Sequence, residues 1–381
     1  MLTFCIILWL VSLLYQVGAW ICLRRFFALS PSLAATSGPG VTVFKPVKGW
    51  EPGMRECLES FLTQEYAPYE VLFGVADPQD PALQYLRELA AAHSGVPVKV
   101  VLCPEVRGLN PKVSILQQLA PLARYDLLVL ADADVKVGGD FLATAAAALA
   151  RPGMGLVSCP YRACEPRSLG AALESLAIAG DFIPSVAVAR YVQGVDFALG
   201  AAMAFTRRAY EAIGGFAPLA DYLADDYQLG HRISQAGFGV DLLPYVVETG
   251  APDMCLKDYV LHQLRWSRTY RVCRPKGYLA YGITHTLLFA LMGWWLSAGA
   301  GWAAMLVAAT VGLRLGLSCY ALKACLKGRL PGPAWMLVPV KDLLAVGFWL
   351  LSFLGNTVTW RGGRFRLLPD GRLTPMPAAP K

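Results

Sequence analysis

The run Leu2 to Leu23 carries no charged residue and ends at Arg24-Arg25. Its length is about that needed to cross a bilayer as a helix. A cleaved signal peptide has a basic start, a shorter apolar core and a small-x-small exit, and none is present here. The run therefore reads as an uncleaved anchor, residues 1–25. The positive-inside rule places Arg24-Arg25, and the domain after them, in the cytoplasm. The charged residues lie chiefly between Lys45 and Lys276, a block of roughly 230 residues that can bury a full core. For the whole chain the charged fraction is 16% and the hydrophobic fraction 56%, against about 25% charged in a soluble domain.

Beyond Arg274-Pro275-Lys276 the chain becomes apolar again. Leu279 to Gly299 and Trp302 to Leu322 each suffice for a span, whereas Trp335 to Leu354 is interrupted by Pro339, Lys341 and Asp342. Three full spans would leave the basic tail (Arg361, Arg364, Arg366, Arg372) outside, against the positive-inside rule. A Lys-Asp pair at mid-bilayer is also costly. Trp335 to Leu354 is thus expected to be interfacial or re-entrant. The expected organisation is an anchor at 1–25, a middle domain at 41–276, a membrane region at 278–356 with two to three spans or re-entrant segments, and a basic tail at 357–381. A Ser/Pro/Gly-rich linker, Ser30 to Gly40, joins the first two.

Within the middle block, strand and helix signals alternate. Val41 to Phe44, Val71 to Ala76, Val98 to Leu102 and Leu127 to Leu130 read as strands. Met54 to Leu62, Pro81 to His93 and Lys112 to Leu122 read as helices. Such alternation predicts an α/β domain with a mostly parallel, Rossmann-like sheet covered by helices. Ligands then bind at the carboxyl ends of strands, where Asp77 and Asp132 fall.

Net charge is +7. No zinc-finger spacing, basic helix or Lys/Arg run beside aromatics accompanies it, which argues against nucleic acid and leaves anionic headgroups or a diphosphate. The ten cysteines form no C-x-x-C pair and read as reduced, mostly buried thiols.

Four clusters could carry chemistry. Asp132-Ala133-Asp134 follows an apolar strand, and in a turn its carboxylates can converge on one hard cation; a solvated turn fits as well. Asp225-Asp226-Tyr227 suits either a helix N-terminus or a general base. His262-Gln263-Leu264-Arg265-Trp266 and Arg268 put two guanidinium groups on one helix face, for phosphate or for lipid headgroups. Gly108-Leu109-Asn110-Pro111-Lys112 is a diphosphate-sized loop or a plain surface turn. The small, apolar stretch Phe197 to Phe205 contains Gly200, which would let a group approach the backbone closely.

Taken in order, these segments resemble the ceramide glucosyltransferase family of inverting GT-A-fold transferases. The match runs from Phe44-Lys45-Pro46-Val47-Lys48-Gly49 through Asp77-Pro78-Gln79-Asp80-Pro81, Gly108 to Lys112, Tyr125 to Asp132 and Ala224 to Tyr227, to Arg265-Trp266. The resemblance implies a GT-A catalytic domain between N- and C-terminal transmembrane helices. It implies transfer of one hexose, glucose first, from a UDP-sugar to the hydroxyl of a lipid such as ceramide. Lys45, Asp77, Asp80, Lys112 and Asp132 would bind the nucleotide-sugar. Asp132 and Asp134 would hold Mg2+ or Mn2+. Asp226 would be the base, with Asp225, Arg265, Trp266 and His262 at the acceptor and diphosphate. The family's last motif begins with Gln or Arg where this chain has His262, so either His262 donates in its place or Gln263 does from a shifted register.

A bacterial branch with the same layout glycosylates hopanoid polyols from UDP-N-acetylglucosamine. The stretch Leu223 to Tyr227 and the tail Thr359 to Arg366 resemble that branch too, so both acceptors stay open. A processive polysaccharide synthase is a further alternative, although it needs more spans than are visible. Expected partners are the donor, the lipid acceptor and the bilayer. The expected location is a bacterial inner membrane, with the catalytic domain cytoplasmic.

Overall fold

The computed structural model describes residues 1–29, 35–250, 252–361 and 363–377. Part of the linker (30–34) and of the basic tail (362, 378–381) therefore lies outside the described residues. Two compact units emerge. One comprises residues 29–161 and 194–250; the other comprises 1–28, 162–193 and 251–381. Residues 162–193 and 252–276, expected in the middle domain, thus cluster with the apolar helices.

The strands, in chain order, are β1 (Ser37–Val47), β2 (Ala67–Val75), β3 (Val98–Leu102), β4 (Leu127–Ala131), β5 (Val135–Lys136), β6 (Met154–Ser158), β7 (Tyr161–Ala163), β8 (Ala202–Thr206), β9 (Gly239–Leu242), β10 (Val247–Thr249), β11 (Thr357–Trp360), β12 (Gly363–Leu367) and β13 (Leu373–Pro375). Seven form the main sheet of the first unit, ordered β3-β2-β1-β4-β8-β6-β9. β1 lies parallel to β2 and β4, β2 to β3, and β6 to β9; β8 alone runs antiparallel to its neighbours β4 and β6. The chain order reverses at β1/β4, and β1, β2 and β4 all end on one edge. Helices cover both faces, which is why β4 is a continuous apolar run and not an alternating one. Phe44, Leu72, Leu128, Leu130, Met203 and Phe205 are buried in one core cluster, each side chain contributing about 1.5–3 kcal/mol.

In the second unit, among the described residues, the helix Leu2–Phe27 is one of four long enough and apolar enough to cross a membrane, with 169–192, 301–325 and 332–352. A fifth candidate, 275–296, is bent by 53° at a break, where the sequence pattern predicts one span from Leu279 to Gly299. The helix Thr286–Leu296 runs antiparallel to Leu2–Phe27: Ser12 meets Thr286 at 2.6 Å, and Gln16 donates to the Thr284 carbonyl at 3.1 Å. The helix Gly301–Cys319 runs parallel to it, with Trp9 donating to Thr310 and Trp20 stacked on Tyr320. The chain then returns. Arg271 donates to the Gly355 carbonyl at 3.2 Å, and Arg268 donates to the Thr357 carbonyl.

Lys341 and Asp342 are buried in this unit, but not as a lone pair. Arg314 makes a two-pronged contact to Asp342 (2.8 and 2.7 Å) and also meets Asp181, while Lys341 lies 2.6 Å from both Asp181 and Asp342. Two cations thus meet two anions. The Lys-Asp pair is visible in the sequence, but its partners are not: Arg314 lies 28 residues from Asp342 along the chain, and Asp181 lies 160 from Lys341.

Candidate active site

The strand-end unit carries a connected set of charges. Asn110 caps the helix Pro111–Leu119: its Oδ1 accepts from Lys112 N at 3.0 Å and Val113 N at 3.2 Å, with Pro111 at the first helical position. The amide end of the same side chain donates to the Tyr222 carbonyl (2.8 Å) and to Asp225 Oδ1 (3.2 Å). Leu109 N donates to Asp221 Oδ1 and Asn110 N to the Ala220 carbonyl. Gly108 has a φ of +145° and sits where a Cβ would come 2.5 Å from that of Ala220, so only glycine lets the two loops close. Sequence reasoning picks out the loop from Gly108 to Lys112 but gives a role only to Lys112, although Asn-Pro before a helix is a capping signal.

This zip delivers the Lys112 ammonium between two carboxylates, 2.7 Å from Asp132 Oδ1 and 3.2 Å from Asp225 Oδ2. Burial alone would lower the Lys112 pKa, but Asp132 and Asp225 outweigh it and raise it. Lys45 behaves differently. Its side chain is fully buried on β1, donating to the Asp132 carbonyl at 2.5 Å and lying over the Phe61 ring. Burial pulls it down to about 8, with Asp134 opposing. Lys45 was expected at the nucleotide; here it sits beneath the Asp132–Asp134 turn and pins its backbone.

Asp134 is pushed up to about 6, first by burial and then by the charge of Asp132. Two repelling carboxylates across one turn, with oxygen donors only, suit a hard cation. Among the described residues no group of three or more His, Cys, Asp or Glu that could hold a metal ion occurs.

Asp226 lies in the first turn of the helix Asp225–Gln235, its Oδ1 accepting from Tyr227 N at 2.8 Å. That helix-terminal contact favours the charged form, yet burial and then Asp225 push the carboxyl up to about 6. A methyl on Gly200 would come 2.5 Å from Asp226 Oδ2. Asp77 is exposed just past the end of β2, its Oδ1 accepting from Gln79 N at 2.8 Å. Asp80 takes Gly49 N on one carboxylate oxygen and Ala82 N on the other, both at 2.8 Å. It therefore ties the loop after β1 to the helix Ala82–Ala92.

Arg265, Trp266 and His262 belong to the other unit, on the helix Leu256–Cys273. His262 Nδ1 lies 3.1 Å from Glu174 Oε1, while Gln263 donates to Glu174 Oε2 at 2.8 Å. Both residues that could open the motif thus converge on one buried carboxylate. Trp266 packs against His262 and Phe182, and Phe182 stacks on Tyr270.

The sheet order, with its single antiparallel strand and acidic turn after β4, defines a GT-A glycosyltransferase fold. A solved mannosyltransferase from Pyrobaculum calidifontis, in complex with GDP-Man and Mn2+, shares that fold, with a TM-score of 0.56 at 21% identity over 90% of this chain and 99% of that one. The family model for glycosyl transferase family 21 matches residues 4–373. The chain belongs to glycosyl transferase family 21. Ceramide glucosyltransferase 3 of Caenorhabditis elegans is 24% identical over 362 residues, 89% of this chain and 75% of the relative. Ceramide glucosyltransferase 1 of the same organism is 29% identical over 202 residues, 52% of this chain and 43% of the relative, so that alignment spans less than half of it.

Proposed function

We propose that the protein transfers one glucose from UDP-glucose to the hydroxyl of ceramide or a closely similar membrane lipid, with inversion at the anomeric carbon. The observation that carries this reading is Asp226, a carboxyl poised near 6 at a helix N-terminus and linked through Asp225 and Lys112 to Asp132. In the reaction the acceptor oxygen forms the new bond to the sugar, the bond from the sugar to the diphosphate breaks, and UDP leaves. The hydroxyl proton goes to the Asp226 carboxylate. Asp77, beyond β2, would face the uridine, with Asp80 holding the loop beside it. Lys112 and Arg265 would meet the diphosphate. Asp132 and Asp134 would hold Mg2+ or Mn2+, which supplies positive charge to the leaving diphosphate. Trp266 would pack on the acceptor, with His262 and Gln263 orienting its helix through Glu174.

The apolar helices support an integral membrane location, and the positive-inside pattern supports a cytoplasmic catalytic face. The tail hydrogen-bonds to the helix Leu256–Cys273, which supports an even number of crossings between them. In this reading 275–296 and 301–325 cross, while 338–352 lies at the interface. A lipid acceptor exposes its hydroxyl at that surface, where a tethered domain gains from proximity.

The test is expression in a host lacking the activity, with UDP-glucose, UDP-galactose and UDP-N-acetylglucosamine supplied in parallel to membranes, followed by mass spectrometry of extracted lipids. A monohexosyl ceramide made from UDP-glucose and lost in Asp226→Asn supports the reading. An N-acetylhexosaminyl hopanoid, a polymer, or full activity in Asp226→Asn overturns it.

A further inference from the structure

A pocket of about 260 Å³ lies between the helix Leu256–Cys273 and the C-terminal sheet. Three guanidinium groups line it, those of Arg265, Arg268 and Arg364, together with the apolar side chains of Leu261, Leu264 and Val358. Among the described residues no carboxylate lines it. Helix positions 261, 264, 265 and 268 follow three- and four-residue steps and so share one face. Arg268 fastens that face to the sheet through the Thr357 carbonyl. Its Nε is buried with no hydrogen-bond partner among the described residues. Burial, and then the charge of Arg271, hold the pKa of the Arg268 guanidinium below its ordinary value. Arg364 comes from β12 and is exposed.

We propose that this pocket takes the phosphate headgroup of an anionic phospholipid. Guanidinium groups bind phosphate oxygens in pairs of parallel hydrogen bonds, and those of Arg268 and Arg364 over an apolar floor suit a phosphate that carries acyl chains, Arg265 being kept for the donor diphosphate. The neighbouring sequence supports a lipid over a soluble phosphate. Leu256 and Leu261 are 47% and 43% exposed on the same helix, and the helix runs directly into the bent apolar segment 275–296. Basic side chains beside membrane segments attract anionic lipid in this manner. Because Arg364 belongs to the sheet while Arg268 belongs to the helix, the bound phosphate would clip the sheet onto the helix that carries Trp266.

The test uses the full chain in phosphatidylcholine nanodiscs with and without phosphatidylglycerol, reading bound lipid by native mass spectrometry and thermal stability in parallel. This readout needs no turnover, so its outcome is separable from that of the transferase reading. The expected result is retention of phosphatidylglycerol over phosphatidylcholine, weakened roughly tenfold in Arg364→Gln and only partly restored in Arg364→Lys, which keeps the charge but not the paired hydrogen bonds. Turnover of Arg364→Gln in phosphatidylcholine alone should be unchanged. Arg268→Gln should also lose the preference and, in addition, loosen the sheet. Equal retention of both lipids by the wild type, undiminished preference in Arg364→Gln, or equal protection by inorganic phosphate or UDP without lipid would each overturn the proposal.

Discussion

Gly200 and Asp226 approach so closely that a single added methyl on the glycine would lie 2.5 Å from the carboxylate Oδ2 and 3.0 Å from its Cγ. The strand-end segment around Gly200 therefore sets where the proposed base can stand. Gly200 is not in the left-handed region, so a methyl costs only this contact. Gly200→Ala should reduce kcat by about a hundredfold through displacement of the carboxylate. Circular dichroism should show an unchanged fold, and donor KM should move little.

The pH profile follows from two carboxyls. Asp226 and Asp134 are both pushed up to about 6. The base must be ionised, so turnover should fall about tenfold per pH unit below that value. Protonation of Asp134 would weaken cation binding in the same range, and saturating Mn2+ should leave only the limb that belongs to Asp226. Stability has the opposite sign. A carboxyl whose folded pKa is raised binds its proton more tightly in the folded state, so between about 4 and 6 these groups favour folding as pH falls. With saturating Mn2+ the enzyme should keep about a tenth of its turnover at pH 5 while staying folded, and an activity profile independent of pH from 5 to 8 would contradict the assignment.

Lys112→Met should leave Asp132 and Asp225 without their shared cation. Removing one partner of a buried pair costs about 3–5 kcal/mol, reduced here to roughly 2–4 because the Asp132 side chain is 42% exposed and partly hydrated. Thermal unfolding should show the loss. Lys112→Met with Asp225→Asn should recover part of the stability but not the activity.

The four-charge cluster among the apolar helices is neutral as a set. Asp342→Asn would leave Arg314 and Lys341 facing Asp181 alone, and removing one partner of a buried pair costs about 3–5 kcal/mol. Thermal stability in detergent should fall accordingly. Lys341→Met together with Asp342→Asn restores neutrality and should recover most of it. Equal losses in the single and double variants would show that charge balance is not what matters.

The return of the tail to the helix Leu256–Cys273 can be checked by labelling. Lys257 and Thr374 are both exposed. After Cys255→Ser, which removes an exposed native thiol, Lys257→Cys and Thr374→Cys should react with a membrane-impermeant maleimide from the same side of sealed vesicles. Reaction from opposite sides would require an odd number of crossings.

Much of this was legible in sequence because the signals are local. A charge-free run of membrane length, alternation of apolar strands with amphipathic helices, and Asp-x-Asp at a strand end are each written in consecutive residues. The expected strands at Val41 to Phe44, Val71 to Ala76, Val98 to Leu102 and Leu127 to Leu130 all recur with small shifts of boundary. Their order in the sheet, the antiparallel insertion of β8 and the closeness of Gly200 to Asp226 depend on contacts between distant residues, so no local pattern could give them. The same reason explains Lys45, which the resemblance puts at the nucleotide-sugar and which the fold buries beneath the Asp132–Asp134 turn, and Lys341-Asp342, which reads as a broken span until Arg314 and Asp181 complete the charge balance. It also explains His262 and Gln263, alternatives in one dimension that meet on Glu174 in three. The sequence by itself determined the terminal apolar runs, the α/β class and the residue types available for chemistry, because period and composition encode those directly. The tertiary structure alone decided which charges neutralise one another, because burial makes an unpaired charge too costly and only folding brings the partners together.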